Sequence, residues 1–169
     1  LTVTVLGSSP ADQYLTRAGA QPGDRLCVSG TLGDAAAGLA VLSGQLAVDE
    51  SAAAFLTMRY ARPSACLALG EALRNCATSC IDISDGLIQD LGHILDSSNV
   101  GGRLSSSLIP VNKGSKLKDA LFGGDDYQLL CTSPTQMEGF YRIGETTQEG
   151  GILVDERELP RRGYDQFLA

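Results

Sequence analysis

Tryptophan is absent from this 169-residue chain and aromatic residues make up only 5% of it, so any core must be built from aliphatic side chains. Basic residues are scarce as well: 13 Lys and Arg stand against 20 Asp and Glu, a formal charge of −7. That balance argues against nucleic-acid or anionic-membrane partners, both of which call for a basic surface. Histidine occurs once, at His93, so a Ser-His-Asp or Cys-His triad would have to be built around that residue. A solvent-facing or locally hydrogen-bonded His93 is the better reading. The five cysteines, Cys27, Cys66, Cys76, Cys80 and Cys131, are odd in number and contain no C-x-x-C. Neither a disulfide framework nor a zinc site is indicated; they read mostly as small buried hydrophobes in a reducing cytosol. No apolar run approaches the length of a membrane span, and the N-terminus lacks a basic-then-apolar signal pattern. A cytoplasmic location is the expectation.

What the chain does have is 43% apolar residues, enough for one domain with a real core, and one dense acidic run. In Cys80 to Leu91, Ile81 and Ile83 alternate with Asp82 and Ser84, the period of a strand. The period then changes, and Leu87, Ile88, Leu91, Ile94 and Leu95 fall on one face of a helix. Asp85 sits at the junction, where a short acceptor can cap the first turn, and Gly86 permits close approach to the backbone. Asp82 ends an otherwise apolar strand, where an unpaired charge is costly, and ligands gather at the carboxyl ends of strands in α/β sheets. Two carboxylates three residues apart beside the Ser84 hydroxyl suit Mg²⁺, which takes one or two carboxylates and leaves the rest to phosphate and water. Metal–phosphate binding and a plain helix cap both remain open for this turn, with the chemistry favouring the metal.

Elsewhere the patterns predict short elements. Leu1 to Leu6 alternates like a strand, and a chain beginning there at Leu rather than Met reads as a fragment of something longer. Gln13–Ala18 reads as a short helix and Arg25–Ser29 as a strand. The Gly30–Asp34 loop reads mainly as a tight turn with an Asp cap before a helix over Ala35–Leu46. Further helices are expected over Ser51–Tyr60 and from Pro63 to about Cys76. Strands are expected over Arg103–Leu108, Tyr127–Thr132, Arg142–Gly144 and Gly151–Asp155, with Asn112–Lys118 loose. The Gly123-Gly-Asp-Asp-Tyr127 stretch is either a hairpin-type turn or an acidic loop able to hold a cation. The tail around Tyr164 and Phe167 reads as irregular.

Taken in order, several of these stretches resemble the C-terminal half of the thiamine-monophosphate kinases. They are Leu15–Asp24, Gly30–Leu39, Arg62-Pro-Ser64, Ile81-Asp-Ile-Ser-Asp-Gly-Leu87 continuing to His93, Gly123–Tyr127 and Gly163-Tyr-Asp165. The family belongs to the superfamily of aminoimidazole ribonucleotide synthetase. The resemblance implies an α+β fold, a mixed β-sheet flanked by α-helices, with residues 1–7 as the last strand of an N-terminal half and 8–169 as the C-terminal domain. It implies transfer of the ATP γ-phosphate to thiamine monophosphate, with Mg²⁺ required and a homodimeric parent enzyme. By resemblance, Asp82 and Asp85 would bind Mg²⁺, Ser84 would touch ATP, and Arg17 would reach the nucleotide phosphates. Asp125 and Tyr164 match positions that hold the thiamine substrate. Gln128 departs from the family's frequent Glu, and Ser133–Gly139 is short where relatives carry a helix. Without the N-terminal half, the fragment alone is expected to be inactive. Another ATP-dependent member of the superfamily and a non-catalytic Mg-nucleotide-binding module are the alternatives.

Overall fold

Alternation along the strands sorts the side chains onto two faces, and helices cover both. The computed structural model describes residues 2–11 and 13–160. Its strands are β1 (Arg25–Val28), β2 (Ser79–Asp82), β3 (Gly101–Leu104), β4 (Leu129–Ser133), β5 (Tyr141–Thr147), β6 (Ile152–Val154) and β7 (Arg157–Glu158). They form one mixed sheet in the order β2-β4-β1-β5-β3-β6-β7. Only the β3–β6 pair is parallel; the other neighbours are antiparallel. The helices are α1 (Asp34–Leu42), α2 (Glu50–Ala61), α3 (Leu67–Leu73), α4 (Leu87–Ser98) and α5 (Leu117–Phe122), with a 3₁₀ turn at Ser106–Leu108.

Leu26, Val28, Ile81, Leu130, Ile143 and Ile152 lie in the larger core. Against them α4 packs Leu87, Ile88, Leu91, Ile94 and Leu95, all fully buried. This is the helical face expected from the sequence, and each such side chain contributes roughly 1.5–3 kcal/mol by leaving water. The alternate positions Cys27, Cys80, Leu129 and Cys131 face the other way, onto α3 through Leu69 and Leu73. All five cysteines are free thiols, as expected. Beside the sheet, α1 and α2 pack closely at Gly38, where a Cβ would lie 2.1 Å from the Leu56 carbonyl oxygen.

Several expected boundaries shift. Residues 2–6 form no strand here, and Val3, Val5 and Leu6 stand exposed, because alternation makes a strand only where a partner edge is present. Residues 13–18 are not helical; the Thr16 carbonyl accepts the Cys80 N–H at 2.9 Å, so the segment runs along the outer edge of β2. A single helical turn has little to offset nucleation, whereas a sheet edge supplies ready partners. Helix α1 stops at Leu42, where Gly44 takes a left-handed φ of 71° and the Ser43 N–H bonds back to the Leu39 carbonyl. The chain after Pro63 stays non-helical until Leu67. The Arg103–Leu108 strand ends at Leu104 because Ser106 turns to donate its N–H to Asp155. Part of the stretch expected to be loose starts α5, which buries Ala120 and Leu121 in the larger core. Tyr164 and Phe167 lie outside the described residues.

Candidate active site

The two acidic loops become one structure through their backbones. At the end of β2 the pairing with β4 continues: Ile83 N–H donates to the Gln128 carbonyl at 2.8 Å, and Tyr127 N–H donates to the Ile83 carbonyl at 2.9 Å. One step further, Asp125 N–H donates to the Ser84 carbonyl at 2.9 Å. Such close approach requires glycine. A Cβ on Gly124 would lie 2.3 Å from the Ser84 carbonyl oxygen. Gly86, at φ 113°, lies against the Phe122 and Gly123 backbone. Asp125 and Tyr127 take left-handed φ values of 65° and 50°, uncommon away from glycine and here imposed by the paired loops.

Ser84, Asp85 and Asp125 line one cavity of about 620 Å³ together with Tyr60, Phe122 and Tyr127. Asp82 opens instead into a neighbouring cavity of about 610 Å³, walled by Pro63, Cys66, Leu67 and Arg74. Tyr127 borders both and donates its hydroxyl to Asp125 at 3.2 Å. Burial raises the Tyr127 pKa, and the Asp125 carboxylate raises it further.

Two expectations about this turn need correcting. Asp82 is exposed, so no buried unpaired charge exists there; β2 ends where the sheet meets solvent. Asp85 does not cap α4: the N-cap is Gly86, without a side-chain bond, while Asp85 accepts from Gln89 Nε2 at 3.3 Å. The turn's amides are held by Asp90, whose Oδ2 accepts from Ser84 N–H at 2.9 Å and Asp85 N–H at 3.0 Å. Burial raises the Asp90 pKa against those two bonds.

The second loop divides its neighbouring carboxylates in the same way. Asp125 points out, while Asp126 is only 1% exposed and accepts from Gly33 N–H at 2.7 Å and Ala35 N–H at 3.2 Å. It thereby caps α1, whose N-cap residue Gly33 has no side chain for the task. Asp34 was the expected cap; it is fully buried and accepts instead from Thr31, Asn112 and Ser115. Arg59 lies 3.7 Å from Asp34 and donates to the Asp126 carbonyl at 3.1 Å. Burial pushes the Asp126 carboxyl up to about 6, against the Gly33 and Ala35 amides, with Asp34 adding to the rise and Arg59 opposing it. Asp126 thereby takes up two of the amides that the start of α1 would otherwise offer to a phosphate.

Of the other expected residues, Arg17 is exposed on the segment before β1, and its carbonyl accepts from Ser98 at the far end of α4. It lines neither cavity. Tyr164 falls outside the described residues. Gln128 is buried and accepts from Ser29 Oγ at 2.8 Å, a packing role that a neutral amide fills without an added charge. His93 is exposed, as expected. Sequence reasoning missed Asp90, Asp126 and Arg59 as structural members of the site. Among the described residues no group of three or more His, Cys, Asp or Glu side chains could hold a metal ion by itself. The oxygen donors the turn does offer, the Asp82 and Asp85 carboxylates and the Ser84 hydroxyl, are of the kind Mg²⁺ takes when phosphate and water supply its other ligands.

A sheet with helices on both faces and paired acidic loops where β2 ends and β4 begins defines the class. The family model of AIR synthase related protein, C-terminal domain, matches residues 21–156, and the chain belongs to that family. Among its relatives, thiamine-monophosphate kinase of Escherichia coli is 40% identical over 193 residues, covering 99% of this chain and 59% of that protein. The solved thiamine-monophosphate kinase of Stenotrophomonas maltophilia superposes with a TM-score of 0.80 at 34% identity, covering 87% of this chain and 54% of the other. AaThiL complexed with AMPPCP and TMP gives 0.83 at 33% identity, covering 90% and 54%. The chain thus spans little more than half the length of these relatives. The match bears out the expected α+β fold with its mixed sheet. No helix among the described residues is long and apolar enough to cross a membrane.

Proposed function

We propose that the gene product containing this chain transfers the γ-phosphate of ATP to thiamine monophosphate, giving ADP and thiamine diphosphate. The observation that carries this reading is the pairing of the two acidic loops, which brings Ser84, Asp85 and Asp125 onto one cavity. Similarity to AaThiL complexed with AMPPCP and TMP supports it.

In this reaction a phosphate oxygen of the acceptor forms the new P–O bond. The bond between the γ-phosphorus and the bridging oxygen breaks, and its electron pair leaves with ADP. The acceptor oxygen is already ionised near neutral pH, so no side chain need act as general base. An exposed lone His93 is in keeping with that. The obstacle is repulsion between two polyanions, which is met by positioning and charge neutralisation. Asp82 and Asp85 would hold Mg²⁺, with Ser84 touching ATP. The bound ion would neutralise charge developing on the transferred phosphoryl group. Arg17 would meet nucleotide phosphates with a permanently charged planar fork. Asp125 would face the cationic thiamine, and Tyr164 would lie against a flat ring.

Residues 1–7 would belong to an N-terminal half that completes the site and forms a homodimer, in the cytoplasm. The 169-residue chain alone would then be inactive. Ligand protection against heat tests the substrate. Thiamine monophosphate should raise the melting temperature of the full gene product in the presence of Mg-nucleotide, while a purine-precursor ribonucleotide should not. Protection by the purine precursor alone would replace this reading with the synthetase alternative.

A further inference from the structure

In the turn ahead of α4, two backbone N–H groups are taken up from within the chain. Asp90 is 2% exposed and turns its carboxylate back toward the beginning of its own helix. There Oδ2 alone accepts both the Ser84 and Asp85 N–H groups. Both amides precede the N-cap, Gly86, which brings no side chain to the helix start. The two amides belong to the same residues whose side chains line the cavity.

A strand-to-helix turn of this kind ordinarily attracts a phosphate onto its free amides. Here an internal anion occupies the Ser84 and Asp85 amides, and the side chains beside them are the Asp82 and Asp85 carboxylates and the Ser84 hydroxyl. We propose that Asp90 is a positioning residue that holds the Ser84 and Asp85 amides, directs their side chains into the cavity, and makes the turn a seat for a cation rather than for a bare phosphate. The inference rests on the reading of Asp82 and Asp85 as the Mg²⁺-bearing edge and deepens it. Two titratable groups act on the Asp90 charge: Asp85, which disfavours it, and His93, which favours it.

Asp90→Asn and Asp90→Ala in the full gene product separate this role from mere packing. The Asn side chain keeps an acceptor of the same shape; Ala has none. Two readouts apply: the Mg²⁺ concentration giving half-maximal thiamine diphosphate formation at fixed ATP, and Mn²⁺ binding followed by paramagnetic resonance without acceptor. Asp90→Ala should raise both the Mg²⁺ requirement and the Mn²⁺ dissociation constant by about tenfold or more, as expected when a metal-orienting partner is lost. Asp90→Asn should stay near the parent. Parent-like metal dependence in a folded Asp90→Ala protein, or equal loss in both variants, would overturn the proposal.

If the Ala variant does not fold, amide hydrogen exchange in the parent decides. Strong protection of Ser84 and Asp85 N–H, lost selectively in a folded Asp90→Ser protein, supports the role; free exchange in the parent rejects it. A parent that makes no thiamine diphosphate sinks the kinase reading, while Mn²⁺ binding and the two amides still judge Asp90.

Discussion

Asp126 and Gly33, 93 residues apart in sequence, meet at a 2.7 Å hydrogen bond in which a loop carboxylate caps a distant helix. Through this bond the acidic loop and α1 are fixed to each other, and Asp125 is left facing outward beside its buried neighbour. Each of two adjacent aspartates has a task the other cannot perform.

The burial that this arrangement imposes on Asp126 makes stability depend on pH. Asp126 has its carboxyl pushed up to about 6 by burial, above the ordinary carboxylate value of about 3.9. The folded chain therefore binds this proton more tightly than the unfolded chain. Its favourable contribution is full below the unfolded value and declines as pH rises through about 6. A rise of about two units corresponds to roughly 3 kcal/mol lost across that window. Asp126→Asn cannot titrate there. The unfolding free energy of the variant minus that of the parent should climb between about pH 4 and 6.5 in denaturant titrations. A difference that stays flat contradicts the assignment.

Gly124 is the narrowest point between the loops, with no room for a Cβ beside the Ser84 carbonyl. Gly124→Ala should lower stability by about 1–3 kcal/mol, as forced overpacking does. It should also weaken Mg²⁺-dependent activity more than a comparable loss of stability elsewhere. Thermal melts combined with metal titration check both. An unchanged melting temperature would mean the loops are not packed as described.

Burial pushes the Cys27 and Cys80 thiols up to about 11 and raises the Cys131 thiol as well. Because the thiolate is the reactive form, a thiol reagent at about pH 8 should leave these three unmodified in the native protein and label all five after unfolding. Rapid native labelling of Cys27 or Cys131 would place them outside the core.

The strand–turn–helix at 80–91 was legible because the hydrophobic period changes within a dozen residues. All five apolar positions expected on the helix face are buried. The Gly-Gly-Asp-Asp-Tyr loop stood out by composition for a similar reason. What periodicity cannot carry is which way a carboxylate points. Asp85 occupies the position of a cap by sequence, yet the helix has no side-chain cap, and Asp90, five residues on, turns inward to hold the amides of the preceding turn. Asp126 finds its partners across the fold at Gly33 and Ala35, and no local pattern announces that. The alternation at residues 2–6 makes no strand for the opposite reason: the pattern is present, and none of the described strands pairs with it.

The central claim is that the paired acidic loops serve Mg²⁺-dependent phosphoryl transfer to thiamine monophosphate. Its most direct test follows thiamine diphosphate by chromatography, using the full gene product with ATP, thiamine monophosphate and varied Mg²⁺. Asp82→Asn and Asp85→Asn are assayed beside it. Mg²⁺-dependent product is predicted from the parent, with kcat/KM lowered about a hundredfold or more in each variant, the scale of losing one electrostatic contact at a reacting centre. No product from the folded parent, or parent-like rates in both variants, would contradict the account.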